Sequence, residues 1–183
     1  MPTIDTRLRG HGMSFNTTWG LFSPKQIDIG TAQLIKQIEL PDNATVLDLG
    51  CGYGPIGLTL AKEAETVHLV DKDFVAVDYS NKNAVLNGLE NAKAYLSNGF
   101  SHVPDEMRFD VIASNIPAKV GKDMLKQILD DAGTFLVPGG TLYIVVIAGL
   151  KDFMKRELKE RFGNYKKLSA SKGYYCLYAK LEK

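Results

Sequence analysis

The chain has 183 residues, 45% of them hydrophobic and 23% charged. That length and balance suit one domain and exclude disordered and fibrous classes. The net charge is +1, yet from Lys151 onward ten Lys and Arg face four Asp and Glu, a local +6 that leaves residues 1–150 at −5. A basic tail can touch phosphates. Its plain reading is an amphipathic helix with its charges in water. The longest apolar run, Leu142 to Leu150, is nine residues, well short of the ~20 that a membrane helix needs. The start, MPTIDTRLRG, lacks the apolar core of a signal peptide. Cys51 and Cys176 form no CxxC pair, and His11, His68 and His102 have no metal-ligand spacing. The expectation is a cytoplasmic protein with no metal.

Residues 1–23 read as irregular, with Gly10, Gly12 and Gly20 among Phe15, Trp19 and Phe22. Residues 28–39 read as a helix capped by Asp28. Thr45–Leu49 is a first strand, followed by a glycine cluster and a helix to about Glu63. Thr66–Val70 is a second strand, and a helix then runs to about Asn87, with Gly88 as its cap. Lys93–Leu96 and Phe109–Ala113 are third and fourth strands. A helix over 122–135 stops at Pro138-Gly139-Gly140. Thr141–Ile147 reads as a strand buried on both faces. A charged helix covers 150–162. Segments near 165–170 and 173–180 flank a turn at Lys172-Gly173 and must pair antiparallel. Alternating strands and helices predict a doubly wound α/β sheet, mostly parallel, with helices on both faces. The domain expected is single, over 1–183. Residues 1–27 would form an N-terminal segment over the active site, and 28–183 the catalytic core.

Ligands of such sheets bind beyond the carboxyl ends of the strands. After the first strand comes Asp48-Leu49-Gly50-Cys51-Gly52-Tyr53-Gly54, and the second strand ends in Asp71. Glycines let a ligand approach the backbone, and a carboxylate at Asp71 can accept both ribose hydroxyls. The pattern reads as a site for a nucleoside-containing cofactor. Gly52-x-Gly54-x-x-Gly57 formally matches the dinucleotide fingerprint. Asp48 at the strand tip argues against a pyrophosphate, because it would repel one. It suits a cation such as the ammonium of S-adenosylmethionine. Cys51 reads as a small buried filler rather than a nucleophile, and His68 as a core histidine.

VLDLGCGYGPIGL resembles motif I of class I S-adenosylmethionine-dependent methyltransferases. The resemblance implies a Rossmann-like seven-stranded sheet with an antiparallel C-terminal strand. It implies that Gly50, Gly52 and Gly54 line the methionine part of the cofactor, with Asp48 near it and Asp71 on the ribose. Lys72 falls where the family packs a side chain against adenine. Asn98 falls where members often carry an Asp that accepts from the adenine amine.

Ser114-Asn115-Ile116-Pro117-Ala118 follows the fourth strand. Class I enzymes that methylate planar amines often carry Asn-Pro-Pro-aromatic there. A delocalised NH2 is a poor nucleophile. The Asn115 oxygen and the Ile116 carbonyl can each accept one N–H and aim the lone pair at the methyl group. Pro117 stiffens the turn, while Ala118 stands where an aromatic would stack on the base. Thr18-x-Gly20-Leu21-Phe22-Ser23, Ile27-Asp28-x-Gly30-Thr31 and Asn115-x-Pro117-x-x-x-Gly121-Lys122 resemble segments of the RsmC-like methyltransferase small family. That resemblance covers the chain from about Thr18 to its end. It implies guanine N2 methylation in ribosomal RNA. Asn115, Ile116 and Pro117 would be catalytic, Asn115 would also touch the cofactor, and Phe22, Ala118, Lys119 and Lys122 would meet the substrate. Competing expectations are methylation of a protein glutamine amide or small-molecule amine, and a non-catalytic subunit that binds S-adenosylmethionine.

Overall fold

The computed structural model describes residues 2–182. The chain opens with strands β1 (Thr3–Leu8) and β2 (His11–Asn16), then helix α1 (Ile29–Gln37). Alternation follows: β3 (Thr45–Leu49), α2 (Pro55–Leu60), β4 (Thr66–Asp71), α3 (Phe74–Leu86), β5 (Ala92–Leu96), β6 (Phe109–Asn115), α4 (Lys122–Phe135) and β7 (Leu136–Ile147). The last elements are α5 (Lys151–Phe162), β8 (Lys166–Ser171) and β9 (Tyr174–Lys180).

Seven strands form one sheet in the order β5-β4-β3-β6-β7-β9-β8. The first five are parallel, and β9 runs antiparallel between β7 and β8. This is the doubly wound sheet expected from the sequence. Because side chains alternate across a strand, Val46 packs toward the layer with Leu34, Ile35 and Leu58, while Leu47 packs toward Leu125, Leu129, Met154 and Leu158. Each such buried side chain contributes about 1.5–3 kcal/mol. Strand order reverses between β3 and β6, which leaves a crevice at their carboxyl ends.

Residues 3–16, expected to be irregular, are not. β1 and β2 form a hairpin through Arg9-Gly10, both at positive φ (53° and 79°), the twist that two-residue hairpin turns require. Arg-Gly is a weaker turn signal than Asn-Gly, which is why the sequence hid it. Ile4, Leu8, Met13 and Phe15 are buried in the helical layer of α1, α2 and α3. Side-chain amides of α3 then act as a further strand for β2. Asn83 exchanges bonds with both backbone groups of Asn16 (2.8 and 3.0 Å), and Asn87 does so with Ser14 (3.0 and 2.8 Å). The hairpin therefore covers helices, and residues 17–28 are the part of the N-terminal segment that connects to the site.

Two boundaries also differ. Strand pairing at β6 continues through Asn115, which stands opposite Val145, so Asn115 ends a strand rather than opening a loop. Pairing at β7 begins at Leu136, and Pro138-Gly139-Gly140 forms a register shift inside the strand.

Candidate active site

The glycine loop is shaped by three residues at positive φ, Gly50 (72°), Gly52 (57°) and Gly54 (105°), a region that L side chains seldom adopt. Gly57 serves packing instead. A Cβ there would lie 2.6 Å from Leu69 and 3.0 Å from Asp48 Cβ. Asp71 braces the loop, accepting from the Gly52 N–H on one oxygen and the Asp73 N–H on the other, both at 2.9 Å. Each oxygen keeps a further lone pair for a hydroxyl.

Asp48 is buried, at 1% exposure. Its Oδ2 accepts from the Gly57 N–H at 2.8 Å, while Oδ1 is buried with no partner among the described residues. Burial pushes its pKa up to about 7; the Gly57 N–H opposes this and Asp71 adds to it. The carboxyl is therefore not a plain anion. The orphan oxygen in a loop of splayed glycines fits a cationic donor such as the methionine ammonium of S-adenosylmethionine, because a buried acceptor left unpaired is costly.

Cys51 Sγ lies 3.4 Å from Ser80 Oγ in a buried setting. Burial pushes its thiol well above the usual range, so it is a filler, not a nucleophile. His68 is half-buried, with Nδ1 at 2.8 Å from the Tyr95 hydroxyl. Burial lowers its pKa. Lys72 and Asn98 are exposed at the tips beyond β4 and β5, and Phe74, 67% exposed, opens α3 beside Lys72.

Asn115 is held by a network that sequence reasoning missed. Its Nδ2 donates to Asp28 Oδ2 (3.1 Å) and Thr31 Oγ1 (2.8 Å). A carboxylate can only accept, so it fixes which end of the amide is nitrogen. Asp28 also caps α1 by accepting from the Thr31 N–H (2.9 Å), and it accepts from the Tyr174 hydroxyl at 3.3 Å. The Asp28 charge raises the Tyr174 pKa, so the phenol keeps its proton as donor. Gly30 makes room, since a Cβ there would sit 2.7 Å from the Tyr174 ring. The capping position hinted at Asp28. Nothing local pointed to Tyr174, which is 146 residues away.

The outcome is two acceptors on consecutive residues with no partner among the described residues. Asn115 Oδ1 and the Ile116 carbonyl accept from no described group, and the Ile116 N–H is tied to the Val145 carbonyl at 3.0 Å. Ile116 packs its side chain into the core. Pro117, Ala118 and Lys119 are exposed. Lys122 is turned toward α5, its ammonium 5.4 Å from the Phe153 ring centroid. Phe22 is 64% exposed on the connection before Asp28.

The methyltransferase small domain family matches residues 12–178. The chain belongs to this family. Its class of chemistry is therefore methyl transfer, with S-adenosylmethionine as cofactor. The uncharacterized protein YbxB of Bacillus subtilis is 37% identical, over 97% of this chain and 90% of its own. The ribosomal RNA large subunit methyltransferase G of Shewanella amazonensis is 30% identical, over 92% of this chain and 46% of its own. Among solved structures, the T. thermophilus 16S rRNA N2 methyltransferase RsmC, in complex with AdoMet and guanosine, superposes with a TM-score of 0.88. It is 30% identical, covering 97% of this chain and 50% of that one. The chain thus spans about half the length of these ribosomal RNA methyltransferases. No helix of the described residues is long and apolar enough to cross a membrane.

Proposed function

We propose that this chain methylates an exocyclic amine, N2 of guanine in ribosomal RNA. The observation that carries the reading is the pair of open acceptors, Asn115 Oδ1 and the Ile116 carbonyl, with the amide locked by Asp28 and Thr31. An NH2 group has two N–H bonds to give. Two fixed acceptors take both and leave the lone pair aimed along one direction, so orientation is set before reaction. S-adenosylmethionine, when bound, supplies the electrophilic methyl group. Gly50, Gly52 and Gly54 would hold its methionine part with Asp48 near the ammonium, and Asp71 its ribose. Lys72 and Asn98 would flank the adenine. Pro117 stiffens the strand exit. Phe22, Ala118 and Lys119 would line the RNA side, with Lys122 set back against Phe153. Support for RNA comes from the relatives named for ribosomal RNA methylation and from the guanosine bound to the T. thermophilus protein.

The test is tritiated-methyl transfer onto total RNA and total protein from a strain lacking the gene, followed by nucleoside analysis. Label in N2-methylguanosine is expected. Label confined to protein glutamine would overturn the RNA reading and keep the amine chemistry. In single-turnover kinetics on the labelled RNA, Asn115→Ala should slow methyl transfer by about 10²–10³-fold, the scale of one preorganised polar contact. Cofactor affinity should change far less. An unchanged rate would remove the mechanism.

A further inference from the structure

Two aromatic side chains stand in water on a connection whose backbone is firmly held. Trp19 is 63% and Phe22 64% exposed. The Thr17 hydroxyl donates to the Pro24 carbonyl, the Ser23 hydroxyl to the Gln26 carbonyl, and the Tyr53 hydroxyl to the Ser23 carbonyl. Rings left exposed on a braced loop point to a binding surface. The Lys25 ammonium lies 5.4 Å from the Trp19 ring centroid. Lys25 also lines a groove of about 580 Å³ between β1 and α1, together with Arg7 and Lys36. Asp5 is the one carboxylate in that lining, and it already accepts from the Ser14 hydroxyl. No carboxylate among the described residues lies within ion-pair range of Arg7, Lys25 or Lys36. Ile27 and Ala32, also in the lining, bracket Asp28 and Thr31, which hold the Asn115 amide. The groove and the Asn115 network thus draw on the same short stretch of chain, residues 27–32.

We infer that residues 17–27 and this groove form a track for single-stranded RNA, with Trp19 stacking on a base next to the target and Arg7, Lys25 and Lys36 following the backbone phosphates. The inference rests on the RNA reading given above. Exposed rings interleaved with unpaired cations are the chemistry that a single strand offers partners for, since every base has a π-face and every link a charge. Trp19 then takes the stacking role for which Ala118 has no ring. The basic C-terminal region is the weaker candidate. Its Lys151 rests on Tyr175, Lys155 and Lys159 rest on Tyr165, and Arg156 on Phe153, rings that are themselves half-buried or buried, so this region offers no exposed ring for a base as Trp19 does.

Trp19 is the single tryptophan of the chain, so its fluorescence reports the contact directly. The probe is an unstructured oligoribonucleotide of mixed sequence, titrated into the full chain with S-adenosylhomocysteine present. Saturable quenching is expected. Trp19→Ala should weaken binding by about 5- to 150-fold, the range for loss of one stacked base, and Trp19→Phe should keep most of the affinity. The triple variant Arg7→Ala, Lys25→Ala, Lys36→Ala should flatten the slope of log affinity against log salt by about 2, three single-strand phosphate contacts. RNA binding without quenching overturns the inference. So does an unchanged salt slope in the triple variant, or a flattened slope only when Lys155, Arg156 and Lys159 are changed to Ala. Displacement of the RNA by polyglutamate of equal charge overturns it too, because that marks a site for acidic protein. If wild type methylates RNA and these variants do so with unchanged KM, the track alone falls. If wild type labels only protein, the RNA reading falls and the track with it.

Discussion

Asp28 joins three jobs in one side chain: it caps α1, it accepts from the Asn115 amide and it accepts from the Tyr174 hydroxyl. Its removal should leave the proposed acceptor Asn115 in place but free to turn. Asp28→Ala is expected to lower kcat by about 10²-fold, the cost of misplacing a reacting pair, with S-adenosylhomocysteine affinity by calorimetry nearly unchanged. Equal losses in both would mean that Asp28 only shapes the fold. Asp71 should show the opposite split. Asp71→Ala removes the proposed ribose acceptor and frees the Gly52 N–H, so cofactor affinity should drop by about 1.5–3 kcal/mol, the scale of a charged hydrogen bond. Asp48 carries a pH signature. The unfolded chain releases this proton near 3.8 and the folded chain near 7, so between those values the folded state binds the extra proton. Stability therefore falls as pH rises through that window, by at most ~4 kcal/mol, and stays level above it. Asp48→Asn keeps an acceptor for Gly57 and removes the titration. Urea unfolding between pH ~5 and ~8 should show the decline in wild type and lose that share in the variant.

Elements were legible where a local signal and the tertiary fold agree. Helix α4 falls where the sequence puts it, ending at Phe135 with its apolar spacing turned to the core, although Pro138-Gly139-Gly140 lies inside β7 and is not its stop. The glycine loop and Asp71 were readable because a turn, a strand tip and a spacing coincide. The N-terminal hairpin was not. Its register is fixed by Arg9, whose guanidinium pairs with both Glu63 oxygens at 2.9 Å and donates to the Ile35 and Ile38 carbonyls at the end of α1. Those partners are far away in sequence, so no window of residues contains the signal. The same holds for Asn115. Its place just after the fourth strand was read from the motif, but the pairing that carries β6 through it, and the Asp28 and Thr31 contacts that orient it, span more than 25 and more than 80 residues. Arg9→Ala should cost about 2–3 kcal/mol in urea unfolding, since it orphans two carbonyls at the helix end. The Arg9 and His11 contacts hold Glu63 near a pKa of about 2, below its usual 4.5. The stability they lend is present above 4.5 and fades as pH falls toward 2.

At the scale of the whole molecule, the fold brings separate stretches of chain together at the carboxyl ends of the parallel strands. Asp28 and Thr31 meet Asn115 there, and the Tyr53 hydroxyl beside the glycine loop reaches the Ser23 carbonyl. The strand that adds the last contact is β9. It threads between β7 and β8, and its first residue is Tyr174. The glycine loop precedes by more than a hundred residues the phenol that steadies Asp28, so synthesis supplies the two in that order. A nascent chain that has not reached residue 174 lacks one of the donors that Asp28 accepts, and β7 then has no β9 beside it. One side of the Asp28 network is thus the late arrival, and the cofactor loop the early one.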